Sequence, residues 1–166
     1  MNLHLLVRQI ERYRRRELLI DTNLLLLYFV GAFRPDRIPG FNRTSRYSVD
    51  DFILLEKVIS AFKRITTTPH ILTEVSNLMG QCEEPLCSDL RGFLKTAIEG
   101  WNETNTASRT LAKAAHFLRF GLTDTAIADL TPGSCLVLTD DRPLAGLLEA
   151  RKVAVIRFSD LQSTCL

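Results

Sequence analysis

Apolar residues fall along the chain in two patterns, longer stretches at helical spacing and short unbroken runs. Leu3, Leu6, Val7, Ile10 and Tyr13 recur at helical spacing and predict an amphipathic helix at about 2–15 with an arginine-rich end. Residues 17–20 are a short apolar run and predict a buried strand. From Asn23 to Phe33 the chain is so densely apolar that it predicts a helix buried all round, stopping near Gly31 and Pro35. Residues 34–48 are rich in Pro, Gly, Asn and Arg and predict a basic loop. Ser48 is placed to cap a helix over 49–62, and the β-branched run Arg64 to Thr68 predicts a strand. Thr68 and Pro69 supply a cap and a first-turn proline for a helix to Met79, closed by Gly80.

Residues 83–99 and 106–118 predict two more helices, separated by a short strand or turn near 100–105. Gly121 and Thr123 mark a stop and a new cap, with a helix over 124–130 that Thr131-Pro132-Gly133 breaks. CLVLT at 135–139 is a strand, Pro143 opens a helix to about Lys152, and VAVIR at 153–157 is a last strand. Strands thus alternate with helices and are apolar throughout. That pattern predicts an α/β fold with a parallel sheet covered on both faces. A chain of 166 residues without repeats or low-complexity tracts predicts one domain over 1–166.

The strand ends change the picture. In open α/β sheets, ligands bind outside the carboxyl ends of the strands, where strand order reverses. Asp21 ends the first strand, and Asp140 and Asp141 end CLVLT. Glu74 lies on the helix after the 64–68 strand, and Asp124 opens its helix. Each has a plainer role as a cap, a partner of the helix dipole or a solvated residue. Several carboxylates meeting without Lys or Arg repel one another, and the usual resolution is a hard cation with oxygen ligands, Mg2+ or Mn2+. Such a site generates a hydroxide nucleophile and stabilises a phosphoryl transition state.

LLIDTNLLL, TPHILTEVSNL, FGLTDTAIADL and CLVLTDDRPL, taken together over about Glu17 to Leu161, resemble a PIN domain. The resemblance implies a three-layer sandwich around a parallel sheet of four or five strands, and a Mg2+- or Mn2+-dependent endoribonuclease. Its metal-binding and catalytic acids are Asp21, Glu74, Asp124 and Asp141, with Asp140 as the alternative fourth acid. Thr22, Asn23 and Thr139 are implied as supporting residues. The resemblance also implies a protein acting on RNA, and, as many family members are toxins neutralised by an antitoxin and often dimers, it raises a toxin–antitoxin role with an antitoxin partner and a homodimer. The chain departs from the family pattern in its N-terminal helix and in the basic loop at 34–48.

Net charge of +2 permits nucleic-acid binding without demanding it. Arginines nevertheless crowd residues 8–16, and Arg34, Arg37, Arg43 and Arg46 in the loop are candidates to hold RNA phosphates, against the alternative of a solvated loop. No apolar run reaches the roughly 18–20 residues of a membrane helix, so no membrane association is expected. Cys82, Cys87, Cys135 and Cys165 lack metal-site spacing and are read as reduced thiols of a cytosolic protein. No Walker or dinucleotide-binding glycine loop is present. Asn23 stands where a haloacid-dehalogenase site needs a second Asp. The competing function is a PIN-like RNA- or protein-binding regulatory module that no longer cleaves.

Overall fold

In a computed structural model, residues 3–82 and 84–165 are described. Helix α1 spans Leu3–Tyr13, strand β1 Glu17–Ile20, α2 Thr22–Phe33 and α3 Val49–Ser60. Strand β2, Arg64–Thr67, is followed by α4, Pro69–Met79, and α5, Leu86–Gly100, and then by the two-residue β3, Asn102–Glu103. A short α6, Ser108–Leu111, leads to α7, Phe117–Ala128. Strand β4, Cys135–Thr139, α8, Arg142–Ala150, β5, Ala154–Arg157, and α9, Phe158–Cys165, follow in that order.

Among the described residues, five strands form one all-parallel sheet in the order β3-β2-β1-β4-β5. Helices flank it in a three-layer α/β sandwich, as the alternating pattern predicts. β1 is central, pairing with β2 through Leu18↔Ile65 and with β4 through Leu19↔Val137. Every residue of β4 is buried, which is why it reads as an unbroken apolar run. α2 is covered nearly all round, with Leu24, Leu25, Leu26, Leu27, Phe29 and Val30 in the core. Ser48 and Asp51 form a reciprocal capping box on α3, and the Thr68 hydroxyl caps α4 ahead of Pro69. None of the described helices is long and apolar enough to cross a membrane.

Gly31 sits where α2 crosses α3. A Cβ there would fall 2.2 Å from the Phe52 ring, which is itself buried. Gly31→Ala is therefore expected to destabilise the fold by about 1–3 kcal/mol through overpacking. A thermal melt should fall by roughly 2–10 °C. An unchanged melt would mean that the ring moves aside freely.

Three expectations need correction. No continuous helix covers 106–118. α6 ends at Leu111, and the chain turns before restarting at Phe117. Leu118, at the end of the expected helix, is 98% exposed. Helix α7 also begins before the expected start at 124, but Gly121 breaks its direction with φ +72°, as the stop signal there implies. The third concerns the cysteines. Cys82 and Cys87, read as free thiols, are joined as a disulfide across the turn between α4 and α5, with Cα atoms 5.6 Å apart. Cys135 is free and buried. The side chain of Cys165 lies outside the described residues.

The basic loop is pinned rather than loose. Ile38, Thr44 and Tyr47 are buried. The Thr44 hydroxyl donates to the Ile38 carbonyl at 2.8 Å, closing the loop on itself.

Candidate metal centre and active site

The sheet order reverses between β1 and β4, and both strands run out at that point into polar residues. Asp21 continues the ladder, its N–H donating to the Leu138 carbonyl at 3.0 Å. Its side chain is buried and caps α2, with Oδ1 accepting from the N–H groups of Asn23 at 3.0 Å and Leu24 at 3.2 Å. Oδ2 accepts from the Thr139 hydroxyl and from the Asp140 N–H at 3.4 Å. Thr139 is fully buried, and its Oγ1 also accepts the Asp141 N–H at 3.0 Å. The ends of β1 and β4 are thus stitched through Thr139, a residue expected only to support the acids.

Thr22 donates its hydroxyl to Glu74 Oε2 at 3.0 Å, tying the start of α2 to the middle of α4. The Asn23 side chain is partly exposed beside Asp140 and Asp141. Asp124, on α7 just past the Gly121 break, is partly buried. Asp141 caps α8 by accepting the Leu144 N–H at 2.7 Å. Asp21 and Asp141 are both helix caps, as the plain reading has it, and each also stands at the carboxyl edge of the sheet.

Electrostatics link the four acids. Burial pushes the Asp124 carboxyl up to about 6, and the nearby charges of Asp141, Asp21 and Glu74 push in the same direction. Burial also raises Asp21, against the hydrogen bonds from Thr139, Leu24, Asp140 and Asn23. Among the described residues, none of these four carboxylates forms an ion pair with Lys or Arg. Four acids from four segments therefore share one uncompensated field at the switch point of the sheet.

Asp140 does something else. Its Oδ2 accepts the Tyr47 hydroxyl at 3.2 Å and pairs with Arg46 at 3.4 Å. Arg46 donates to the same Tyr47 hydroxyl at 2.6 Å and lies 4.8 Å from the centre of its ring. Burial, followed by the Asp140 charge, raises the Tyr47 phenol, so it stays a hydrogen-bond donor. Of the two adjacent acids, Asp141 is the one that acts on Asp124, and Asp140 faces the loop.

The donor set suits a hard divalent cation, because every candidate ligand is a carboxylate. It is not drawn into a ready-made cage. Among the described residues, no three His, Cys, Asp or Glu side chains are gathered to hold an ion as they stand. The commitments of individual oxygens explain this. Those of Asp21 accept backbone and hydroxyl donors, Asp141 Oδ1 is bound to Leu144, and Glu74 Oε2 is held by Thr22. Glu74 and Asp141 are exposed, which leaves their side chains room to turn.

The loop arginines divide. Arg34 forks onto Asp36 through two hydrogen bonds of 2.9 and 2.8 Å. Arg34 and Arg37 line a cleft of 530 Å³ with Phe33, Phe41 and Gln81, to which none of the four acids contributes. Arg43 is exposed, and Arg46 alone reaches the acids, through Asp140. Two residues not singled out from the sequence join it there, Arg142 and Ser159, which line a cleft of 440 Å³ with Arg46 and Asp141. Arg142 directly follows Asp141, so its position in TDDR was the available signal. Ser159 lies on α9, an element that the apolar pattern does not announce. In a comparison with known proteins, no family model matches the chain and no curated protein matches its sequence.

Proposed function

We propose that the protein is a Mg2+- or Mn2+-dependent endoribonuclease of the PIN type. The reading is supported above all by one observation: Asp141, Asp21 and Glu74 all act electrostatically on Asp124 at the carboxyl edge of the sheet, and among the described residues none of the four forms an ion pair with Lys or Arg. Asp21, Asp124 and Asp141 are the residues that would hold the ion, with Glu74 completing the set. When bound, the ion supplies a water of lowered pKa and positive charge for the phosphoryl transition state. Thr139 fixes Asp21 and the backbone of Asp141 relative to each other, and Thr22 aims Glu74. In hydrolysis a water oxygen bonds to phosphorus, one P–O ester bond breaks, and the leaving oxygen takes up a proton. An antitoxin partner and a homodimer are carried by the resemblance alone.

A second reading, an inactive RNA- or protein-binding module, is favoured by the capping roles of Asp21 and Asp141. One experiment separates the two. The purified full chain is incubated with end-labelled single-stranded and hairpin RNA in Mn2+, in Mg2+ and after exhaustive chelation. The nuclease reading expects internal cleavage that needs the ion and falls by more than about a hundredfold without it. Cleavage that survives metal removal overturns the mechanism. A folded protein that cuts no RNA in Mn2+ is the inactive module.

A further inference from the structure

On the β5 side of the acids, a cleft of 440 Å³ is lined by Asn23, Arg46, Asp140, Asp141, Arg142 and Ser159. Its polar groups differ in how they are engaged. Asp140 is turned toward the loop, where it receives the Tyr47 hydroxyl and pairs with Arg46. Arg46 uses one edge of its guanidinium on these partners, and its side chain remains 54% exposed. Arg142 forms no ion pair among the described residues, and it stands one residue from Asp141. Ser159 closes the other wall from α9, and Asn23 adds an amide from the first turn of α2.

We propose that this cleft is a subsite for a phosphodiester of single-stranded RNA, the one flanking the phosphate at the acids. Arg142 and Arg46 are its binding residues, and Asp140 and Tyr47 are positioning residues that hold Arg46 in place. Beside the carboxylates of Asp140 and Asp141, the cleft offers two guanidiniums, an amide and a hydroxyl, and these donors suit a phosphodiester, which brings only acceptors and a negative charge. The relay Arg46 to Tyr47 to Asp140 explains why this carboxylate sits in an anion site: its Oδ2 is engaged by Tyr47 and Arg46, and it orients the guanidinium. The polymer is thereby led along the carboxyl edge of the sheet, from the acids of β1 and β4 toward β5. The identity of the polymer rests on the RNA-cleavage reading; the anion chemistry of the cleft does not.

The test uses the full chain in EDTA, where binding is read without cleavage. The probe is a short fluorescein-labelled single-stranded oligoribonucleotide, followed by anisotropy over a series of KCl concentrations. Arg142→Ala is expected to weaken binding about tenfold and to reduce the slope of log affinity against log salt by about 0.7, the loss of one phosphate contact. Arg142→Lys should keep the slope. Tyr47→Phe keeps every charge and removes only the hydroxyl link, so it should weaken binding about two- to tenfold at an unchanged slope. A merely structural role for Arg142 would not move the slope. Should Arg142→Ala melt early, Ser159→Glu tests the same cleft from its opposite wall and should weaken binding by adding a like charge.

Unchanged affinity and slope in Arg142→Ala overturn the subsite. Competition separates the sources of the phosphate. Displacement of the probe by inorganic phosphate or 5′-AMP as effectively as by unlabelled oligoribonucleotide overturns the RNA-backbone assignment. Failure here is distinct from failure of the nuclease reading. Arg142-dependent binding by a protein that never cleaves leaves the subsite standing. Normal cleavage by Arg142→Ala with an unchanged KM removes the subsite and keeps the nuclease.

Discussion

Asp21→Asn is expected to reduce RNA cleavage by more than about a hundredfold while the protein stays folded. Asn caps a helix about as well as Asp, so the start of α2 survives. The electrostatics do not survive, because the change removes a charge that a divalent ion needs. Hydrogen bonding adds a cost that the capping comparison alone omits. Both Asp21 oxygens accept, one from two N–H groups and the other from Thr139 and the Asp140 N–H. An amide has one acceptor oxygen, so its NH2 must face donors on one side. The cost is about 1–3 kcal/mol for the unsatisfied groups. Relief of desolvation and of repulsion from Asp124 acts in the opposite direction. The metal-free melt should therefore move little, whereas the stabilisation by Mn2+ seen in the wild type should largely vanish. A variant that cleaves normally and gains as much stability from Mn2+ as the wild type would leave Asp21 a cap and nothing more.

The second large effect is a reversal in how stability follows pH. Asp124 titrates near 6 in the folded chain against an ordinary value of 3.8, and Asp21 is shifted in the same direction. Between those values the folded state binds more protons than the unfolded state. Stability without metal therefore falls as pH rises from about 4 through about 6, and stays lower above that. Metal binding requires the ionised carboxylates, so the ion competes with those protons. Its stabilising effect should be near zero at pH 5 and should grow steadily above pH 6. Melts across this range, with and without Mn2+, should give slopes of opposite sign. Parallel curves would show that protons and the ion do not meet at these acids.

Much of this was legible in the residues. Strands that read as near-continuous apolar runs, such as CLVLT, have no solvent face, so a covered parallel sheet follows from them directly. The acids were legible because they interrupt such runs at their carboxyl ends, where no core residue belongs. Two kinds of information were not. Turns that depend on tertiary packing left little trace, which is why 106–118 looked like one helix and why the proximity of Cys82 and Cys87 went unseen. The difference between Asp140 and Asp141 was also hidden. Adjacent residues on an extended segment point to opposite sides, and only the position of Tyr47, from a loop more than ninety residues earlier, shows which acid is engaged elsewhere.

The central place of β1 also constrains the order in which the protein is assembled. β1 precedes β4 by a long stretch of chain, and the Thr139 hydroxyl that meets Asp21 is 118 residues away in sequence. Closing so long a loop carries an entropic cost that only late, non-local pairing repays. On the ribosome, β1 waits with one edge open until β4, the later strand of the pair, has emerged. The acids consequently come together only after β4 has been made. A nascent or prematurely terminated chain that stops short of β4 exposes an unpaired strand edge and carries no assembled site.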